Sequence, residues 1–534
     1  MSWLHTLLKA YGFPAKCLHA KVQQLVTAIG DNPCSLDPHK TVSAEDQKIM
    51  RDLLEGPYVF DKQGNLIPGA FVSAYTNDSK YWTFSLRPGL CWSNGEPLTA
   101  YDFIYSWQRL ADPQTASPKA GILQDMKIEN IDDIIAGKRP SSDLGIIASG
   151  PSTLHISLTQ SLGFITKFLG DSALLPVHPA TVKKYGDLWT LPANWVGNGA
   201  YCLKQQVVND KVLLTRNSNY WDNKTTIIDQ VIYLLLEGES EIAHYKRGML
   251  DISRELSSTR GNQLLPQFPE ELRWLKTTTV SGYLINTKAK PFRDSRVRQA
   301  LNLAIDRDKL LQALRITGQD TAYNFLPNGL GGLPAFQPPW QFWSFEQRLK
   351  IARDLLQEAG FNEKKPLRFT LLCHNNEASQ QMAAAVSALW KVLLGAQVTL
   401  DQQEQKTHIE RKQNSQYQMA SVNYFTTKNE AYDLLMLFYS KSCYNQSNYN
   451  NLQFDHYLEK VVTSAQDYER HIWYHRAEAL LAEEAPIIPI SHPHYARLVK
   501  PYIGGLTPEN QSGFFYTKNL YIRKHPQAPK VARK

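Results

Sequence analysis

From Ser344 onward the chain alternates helix-like and strand-like stretches, and that alternation limits the folds open to it more than any other feature. Ser344 to Ala359 reads as a helix, with Ser344 and Gln347 forming a capping box and Gly360 ending it. A strand follows at Leu367 to Leu372, a helix at Ala383 to Leu394 and a strand at Gln397 to Leu400. Earlier, Glu241 to Arg247 reads as a helix before the apolar run Met249 to Ile252. Such a pattern predicts α/β lobes with mostly parallel sheets and covered faces. At 534 residues, the chain is long enough for two or more domains.

The first half carries the same elements with more turns. Strands are expected at Gln23 to Ile29, Tyr58 to Phe60 and Trp82 to Phe84, and a short helix at Gln47 to Leu54. Leu154 to Leu158 alternates with period two, as a half-buried strand does. Gly186 is placed to cap a helix ending at Tyr185. Tyr201 to Thr215 reads as a hairpin turning at Val207 to Asp210, and Ile228 to Leu236 as a strand covered on both faces. Between Leu86 and Pro118 the local chemistry is most explicit. Ser93-Asn94-Gly95 supplies a turn, Thr99 an N-cap, and Asp102 a carboxylate at the free N–H groups of the first helical turn. Phe103, Trp107 and Leu110 fall on one helix face, and Asp112-Pro113 and Ser117-Pro118 stop it.

Composition narrows function by exclusion. Net charge is +8, but the basic residues are dispersed apart from the tail at Lys530 to Lys534, so no nucleic-acid stripe is expected. Aromatics make up 11% of the chain, which suits a protein that grips a ligand through large contact areas. No run of about 18 or more apolar residues occurs, so no membrane span is expected. The segment 1–20 is interrupted by His5, Lys9, Gly12 and Pro14 and makes a poor export signal. The six cysteines, at 17, 34, 91, 202, 373 and 443, show no metal-like spacing. Cys91 and Cys202 read as small buried residues.

Catalytic motifs are missing too. There is no GxSxG elbow, HExxH helix or GxxxxGK[ST] loop. His471 and His475 share a helix face at i, i+4, but only Glu469 or His492 could extend them into a ligand set. No enzyme, cofactor or metal is expected.

Longer words carry more information. WSNGEPLTAYDFIYSWQRLADPQTASP, NGAYCLKQQVVNDKVLLTRNSNYWDN (Asn198 to Asn223), PFRDSRVRQALNLAIDRDKL (Pro291 to Leu310) and ARLVKPYIGG (Ala496 to Gly505) follow one another in order. Together they closely resemble the periplasmic oligopeptide-binding proteins, the solute-binding components of ABC peptide importers (solute-binding protein family 5). The resemblance covers nearly the whole chain after about Ser35. It implies a type II periplasmic-binding-protein-like α/β fold: two α/β lobes joined by a hinge, plus an inserted domain. Domain one would comprise 21–54, 179–278 and 495–534, domain two 55–178 and domain three 279–494. The hinge crossings would lie near Thr278 and His494. The implied function is binding a peptide between the lobes and delivering it to an inner-membrane permease with its ATPase subunits. A periplasmic location and a monomer are implied as well.

The same resemblance places the ligand contacts, and there the chain departs from the family. Thr427 stands where an Asp would pair with the ligand's α-ammonium, and Leu284 where a Glu is usual. Ser379 replaces a His in the loop after the Leu367–Leu372 strand, Gln405 a Trp, Ser421 an Arg, Lys119 a Tyr and Pro493 a Tyr. Lys412 keeps a positive charge where Arg is usual, without the planar fork. Tyr424 replaces Trp, Tyr283 is retained, and Thr279 and Phe425 stand at two cysteine positions. Ser43 and Ala44 complete the expected contacts. A hydroxyl at Thr427 cannot supply the charge-assisted bond of a carboxylate, although Asp433 lies close enough in sequence to compensate. The expectation is a more apolar lining that holds free-amino-terminal peptides weakly. The same fold with a bulky amphipathic or anionic solute, or a decayed relative that no longer transports, are the alternatives.

Overall fold

The structure is a computed structural model that describes residues 19–41, 43–426, 430–442, 444–464, 466–507, 510 and 515–525. Its described residues divide into two compact units, the first within Met1–Leu256, Gln263–Trp274 and Ala496–Lys534, the second Ser257–Asn262 and Leu275–Tyr495.

The first unit opens with strand β1 (Gln24–Ile29), buried at every residue, and helix α1 (Ala44–Leu53). Leu25 and Ile29 join Ile49, Met50 and Leu53 of α1 in one core, while Val26 and Ala28 pack on the other side with Ile242, Tyr245 and Leu250. Two-sided burial explains why β1 shows no polar alternation. An antiparallel sheet follows, built from β2 (Phe71–Thr76), β3 (Tyr81–Leu86), β4 (Ile146–Ala148) and β5 (Thr153–Ser157) in the order β2-β3-β5-β4, with helix α2 (Ala100–Ala111) between β3 and β4 in the chain. Leu154 and Ile156 are buried while their neighbours are half-buried, as the period-two pattern predicts. The Asp102 carboxylate accepts from the Thr99 N–H at 2.7 Å and the Thr99 hydroxyl at 2.9 Å, which closes the first turn of α2. Phe103, Trp107 and Leu110 have no exposure, and the Trp107 indole N–H donates to the Leu174 carbonyl at 3.1 Å. Gly186 ends the helix Pro179–Tyr185 at φ +54, a conformation that favours glycine. Strands β6 (Tyr201–Val207), β7 (Lys211–Arg216) and β8 (Gln230–Leu235) complete a sheet ordered β1-β8-β7-β6.

The second unit holds a six-stranded sheet. Its elements are β9 (Val280–Ile285), α3 (Ser295–Leu303), β10 (Gln319–Thr321), α4 (Phe345–Glu358), β11 (Arg368–His374), α5 (Glu377–Leu394), β12 (Gln397–Gln403), α6 (Gln405–Gln413), β13 (Met419–Tyr424), α7 (Asp467–Glu484) and β14 (Ile487–Pro493). The strand order is β10-β14-β9-β13-β11-β12. Ser344 caps α4 as expected, accepting from the Gln347 N–H at 3.2 Å while Gln347 answers the Ser344 N–H at 2.9 Å. Tyr283, Ile285, Met419 and Trp390 belong to its main core. At Gly282 the strands press together, and a Cβ there would stand 2.2 Å from the Ile488 carbonyl oxygen, next to a bulge in the β9–β14 pairing.

Three expectations need correction. The sheets are mixed rather than mostly parallel: among the labelled strands only β1–β8, β11–β12 and β11–β13 pair in parallel. Parallel neighbours need a crossover, whereas turns such as that at Asn209 (φ +60) set antiparallel strands side by side. Helix α5 begins at Glu377, so Ser379 sits in its first turn and not in a loop; Asn376 accepts from the Ser379 N–H at 2.9 Å and so starts the helix early. Cys91 and Cys202 are half-buried rather than buried; with Cys34 and Cys373 they are free thiols. Cys17 and Cys443 lie outside the described residues. Among the described residues, no helix is long and apolar enough to cross a membrane.

Candidate functional site

The register of the six-stranded sheet gathers one set of chain ends at a single edge. Strands β11, β12 and β13 are parallel and end there, at His374, Gln403 and Tyr424. Strand β9 runs against β13 and starts there, with Val280 opposite Tyr424. Strand β14 runs against β9, pairing Ser491 with Ser281, so Pro493 reaches the same edge, where Gln319 of β10 faces it. Helices α5 and α6 begin just beyond this edge. In an open α/β sheet, the carboxyl ends of parallel strands are where ligands are held, because loops and helix starts converge there.

Of the thirteen expected contacts, six fall at this edge, and Ser421 lies within β13 opposite Tyr283. Tyr424 closes β13, and Phe425 follows it with 66% of its surface exposed. Gln405 opens α6, exposed, and Ser379 lies in the first turn of α5. Pro493 ends β14, its carbonyl accepting from the Thr277 hydroxyl at 2.6 Å. Ser421 lies 3.4 Å from His408 Nε2, and the Lys412 ammonium sits 5.9 Å from the centroid of the Tyr424 ring. Five others lie elsewhere. Leu284 and Tyr283 are interior residues of β9, 1% and 2% exposed, and Tyr283 packs 6.0 Å from Trp390. In the first unit, Lys119 donates to the Ser172 hydroxyl at 3.0 Å, and the Ser43 hydroxyl caps α1 by accepting from the Asp46 N–H at 3.4 Å. Ala44 is the first residue of α1. Thr427 lies outside the described residues.

The edge also holds two residues that no motif indicates. His374 ends β11 and His408 lies in α6, and their rings stack at 4.2 Å and 29°. The only available signal is topological: each belongs to the strand end or helix start that a parallel sheet brings to its carboxyl side. Burial pushes His408 down to about 3, and the positive charge of Lys412, any proton on His374 and the charge of Arg411 push the same way. His374 is lowered by burial and by Lys412. Both rings are therefore neutral at pH 7. Burial also lowers Lys412 and raises Tyr424. Arg411 is paired with Asp401 at 2.5 Å, whereas Lys412 has no carboxylate partner among the described residues. Asp433 accepts from the Thr426 hydroxyl at 2.9 Å. Further along the edge His492 is pushed down to about 4 by burial, and His494 lies 3.2 Å from Asp320, whose carboxyl it holds below the usual range. His475 meets the Pro334 carbonyl at 2.8 Å. Among the described residues no three His, Cys, Asp or Glu side chains converge as metal ligands. The edge thus presents aromatic and hydroxyl surface around the Lys412 ammonium, which no described carboxylate pairs, a lining able to take a partly apolar solute with an anionic group.

The profile of the bacterial extracellular solute-binding proteins, family 5, matches residues 65–446. The chain is 39% identical to the periplasmic oligopeptide-binding protein OppA of Salmonella typhimurium over 96% of this chain and 95% of that one. It is 36% identical to the periplasmic murein peptide-binding protein MppA of Escherichia coli, over 96% and 95%. Among solved structures it is similar to the unliganded open form of the MppA periplasmic murein tripeptide binding protein, with a TM-score of 0.92 and 35% identity, covering 96% of this chain and 99% of that one.

Proposed function

The chain belongs to the bacterial extracellular solute-binding proteins of family 5, and from that premise we propose that it is the periplasmic peptide-binding component of an ABC importer. It carries ligand to an inner-membrane permease and its ATPase subunits, and it does no chemistry on it. The names of its relatives support a peptide as ligand. The observation that carries the reading for this chain is Lys412: a desolvated ammonium beside an aromatic ring, with no described carboxylate, at the sheet edge where strand ends converge.

In this reading the peptide lies extended and is held mainly through its backbone, as strand-like ligands are. Lys412 meets a carboxylate of the ligand; Tyr424 and Phe425 cover apolar side chains; Ser421, Gln405 and Ser379 offer polar contacts directly or through water. Lys119, Ser43 and Ala44 contribute from the other lobe. The lobes correspond to 21–54, 179–278 and 495–534 with the inserted 55–178, and to 279–494. They close about crossings near Thr278 and His494 and so shift the population toward a form the permease recognises. Thr427 and Leu284 supply no carboxylate for the ligand's ammonium, so anchoring is biased toward the carboxylate end.

Native mass spectrometry of protein purified without refolding tests this. A heterogeneous set of co-purifying peptides is expected; a single non-peptide solute would overturn it. Thr427→Asp should then tighten free-amino peptides by about tenfold over their N-acetylated forms, the scale of one charge-assisted bond. No gain would remove the ammonium argument.

A further inference from the structure

The second unit contains a cavity of about 500 Å³ that shares no residue with the sheet edge. It lies among α3, α4, α7 and the segment LPAFQPPWQFW at Leu333 to Trp343. Its walls are Leu303, Phe336, Trp340, Trp343, Ile351 and Leu355. The prolines at 338 and 339 limit the backbone that carries the aromatics, with Pro339 starting a short 3-10 turn. Trp340 is fixed from behind: the Arg307 guanidinium lies 5.4 Å from its ring centroid, and Arg307 itself is held by the Pro489 carbonyl at 2.8 Å and Asn302 Oδ1 at 2.5 Å. Phe342 and Trp343, beside the cavity, are 69% and 40% exposed, an apolar display that needs a reason on a protein surface.

Polar groups converge on the same space. Asn302 is 2% exposed; its oxygen is taken by Arg307, but its amide nitrogen donates to no described group while the residue lines the cavity. Gln299 donates to the Glu483 carbonyl, which leaves its own amide oxygen uncommitted. The exposed Glu483 carboxylate lines the cavity too, and no cation lines it.

A concavity of this volume, mostly apolar, with a buried donor at its wall and preformed aromatic sides, has the makeup of a small-molecule site. We propose that it binds an uncharged, largely apolar molecule that carries a hydrogen-bond acceptor at one end. The apolar body packs against Trp340 and Trp343, and the acceptor takes the Asn302 amide N–H. The Glu483 carboxylate, unbalanced at the cavity, discriminates against anions. The site is separate from the one assigned to peptide, so its fate does not depend on that assignment.

The test uses prodan, an uncharged naphthalene bearing a ketone, titrated into the full-length protein while its emission is followed. One equivalent should bind with a blue shift. Ala482→Trp, which fills the cavity from α7, should weaken binding by at least about tenfold. Trp343→Ala, at a partly exposed wall, should weaken it by roughly fivefold without depending on a larger side chain being accommodated. Phe425→Ser, at the sheet edge, should leave binding unchanged. Absence of saturable binding, equal binding by both cavity variants, or loss in Phe425→Ser would each overturn the proposal.

Discussion

Two buried histidines, one in each unit, show how differently the same residue can be set. His39 and His408 are 0% and 1% exposed, and burial pushes both down to about 3. Around His39 the charges close on themselves. Arg109 grips Asp37 with two bonds at 3.1 and 2.6 Å, the Trp189 indole adds a third donor to that carboxylate at 3.4 Å, and another Arg109 N–H points at His39 Nδ1 at 2.6 Å. Since arginine can only donate, His39 Nδ1 accepts and the ring is neutral. Around His408, Asp401 pairs with Arg411, but no carboxylate among the described residues pairs with Lys412. A cluster whose ion pair is closed internally holds a fold together. One left with surplus charge at an exposed edge is arranged for something that arrives later.

Four experiments would break or sharpen that contrast. Asp37→Asn leaves Arg109 buried beside a neutral amide and should cost about 3–5 kcal/mol of stability, the usual penalty for stranding one member of a buried pair. Chemical denaturation reads it, and a loss below about 1 kcal/mol would mean the first cluster is not closed. The Lys412→Met variant should do the reverse: peptide affinity falls by roughly 2 kcal/mol or more, as for truncation of a desolvated charged contact, while stability holds or rises. Calorimetric titration with the co-purified peptides measures the first, thermal melting the second. Acid comes third. Both histidines are depressed in the folded state, so between about 6.5 and about 3 the unfolded chain binds more protons. Their contribution is whole above pH 6.5 and is lost as pH falls, by up to about 1.4 kcal/mol for each unit of depression. The melting temperature should drop from pH 7 to pH 4, less steeply in His408→Gln; an unchanged slope would show that His408 titrates normally. The smallest effect belongs to Ser43→Ala, which removes the α1 cap and should cost about 1 kcal/mol. If peptide affinity falls with it, Ser43 is a contact as well as a cap.

What could be read from the chain divides along the same line. Thr99 with Asp102, Ser344 with Gln347, Gly186, and the turn at Val207 to Asp210 announce themselves because caps and turns are settled by residues within four positions of one another. The stripe Phe103, Trp107, Leu110 is legible for the same reason, since one helix face is fixed by spacing. The edge of the second sheet is not local. His374 and His408 stack across 34 positions only because two parallel strands and their helices end together. Matching the family's positions put Leu284 among the contacts, but only tertiary packing reveals it to be 1% exposed. The mixed sheet direction was likewise hidden, because strand patterns report burial and not the partner's orientation.

Gly282 fixes where the strands of that sheet seat. Because no side chain fits between β9 and the Ile488 carbonyl, the strand has one depth at which it can seat, and a slip by one residue would bring Ser281 or Tyr283 into that gap. The gap works as a keyway: it indexes β14 against β9. Tyr424 and Phe425, at the end of the strand that pairs with β9, are thereby held at a fixed height.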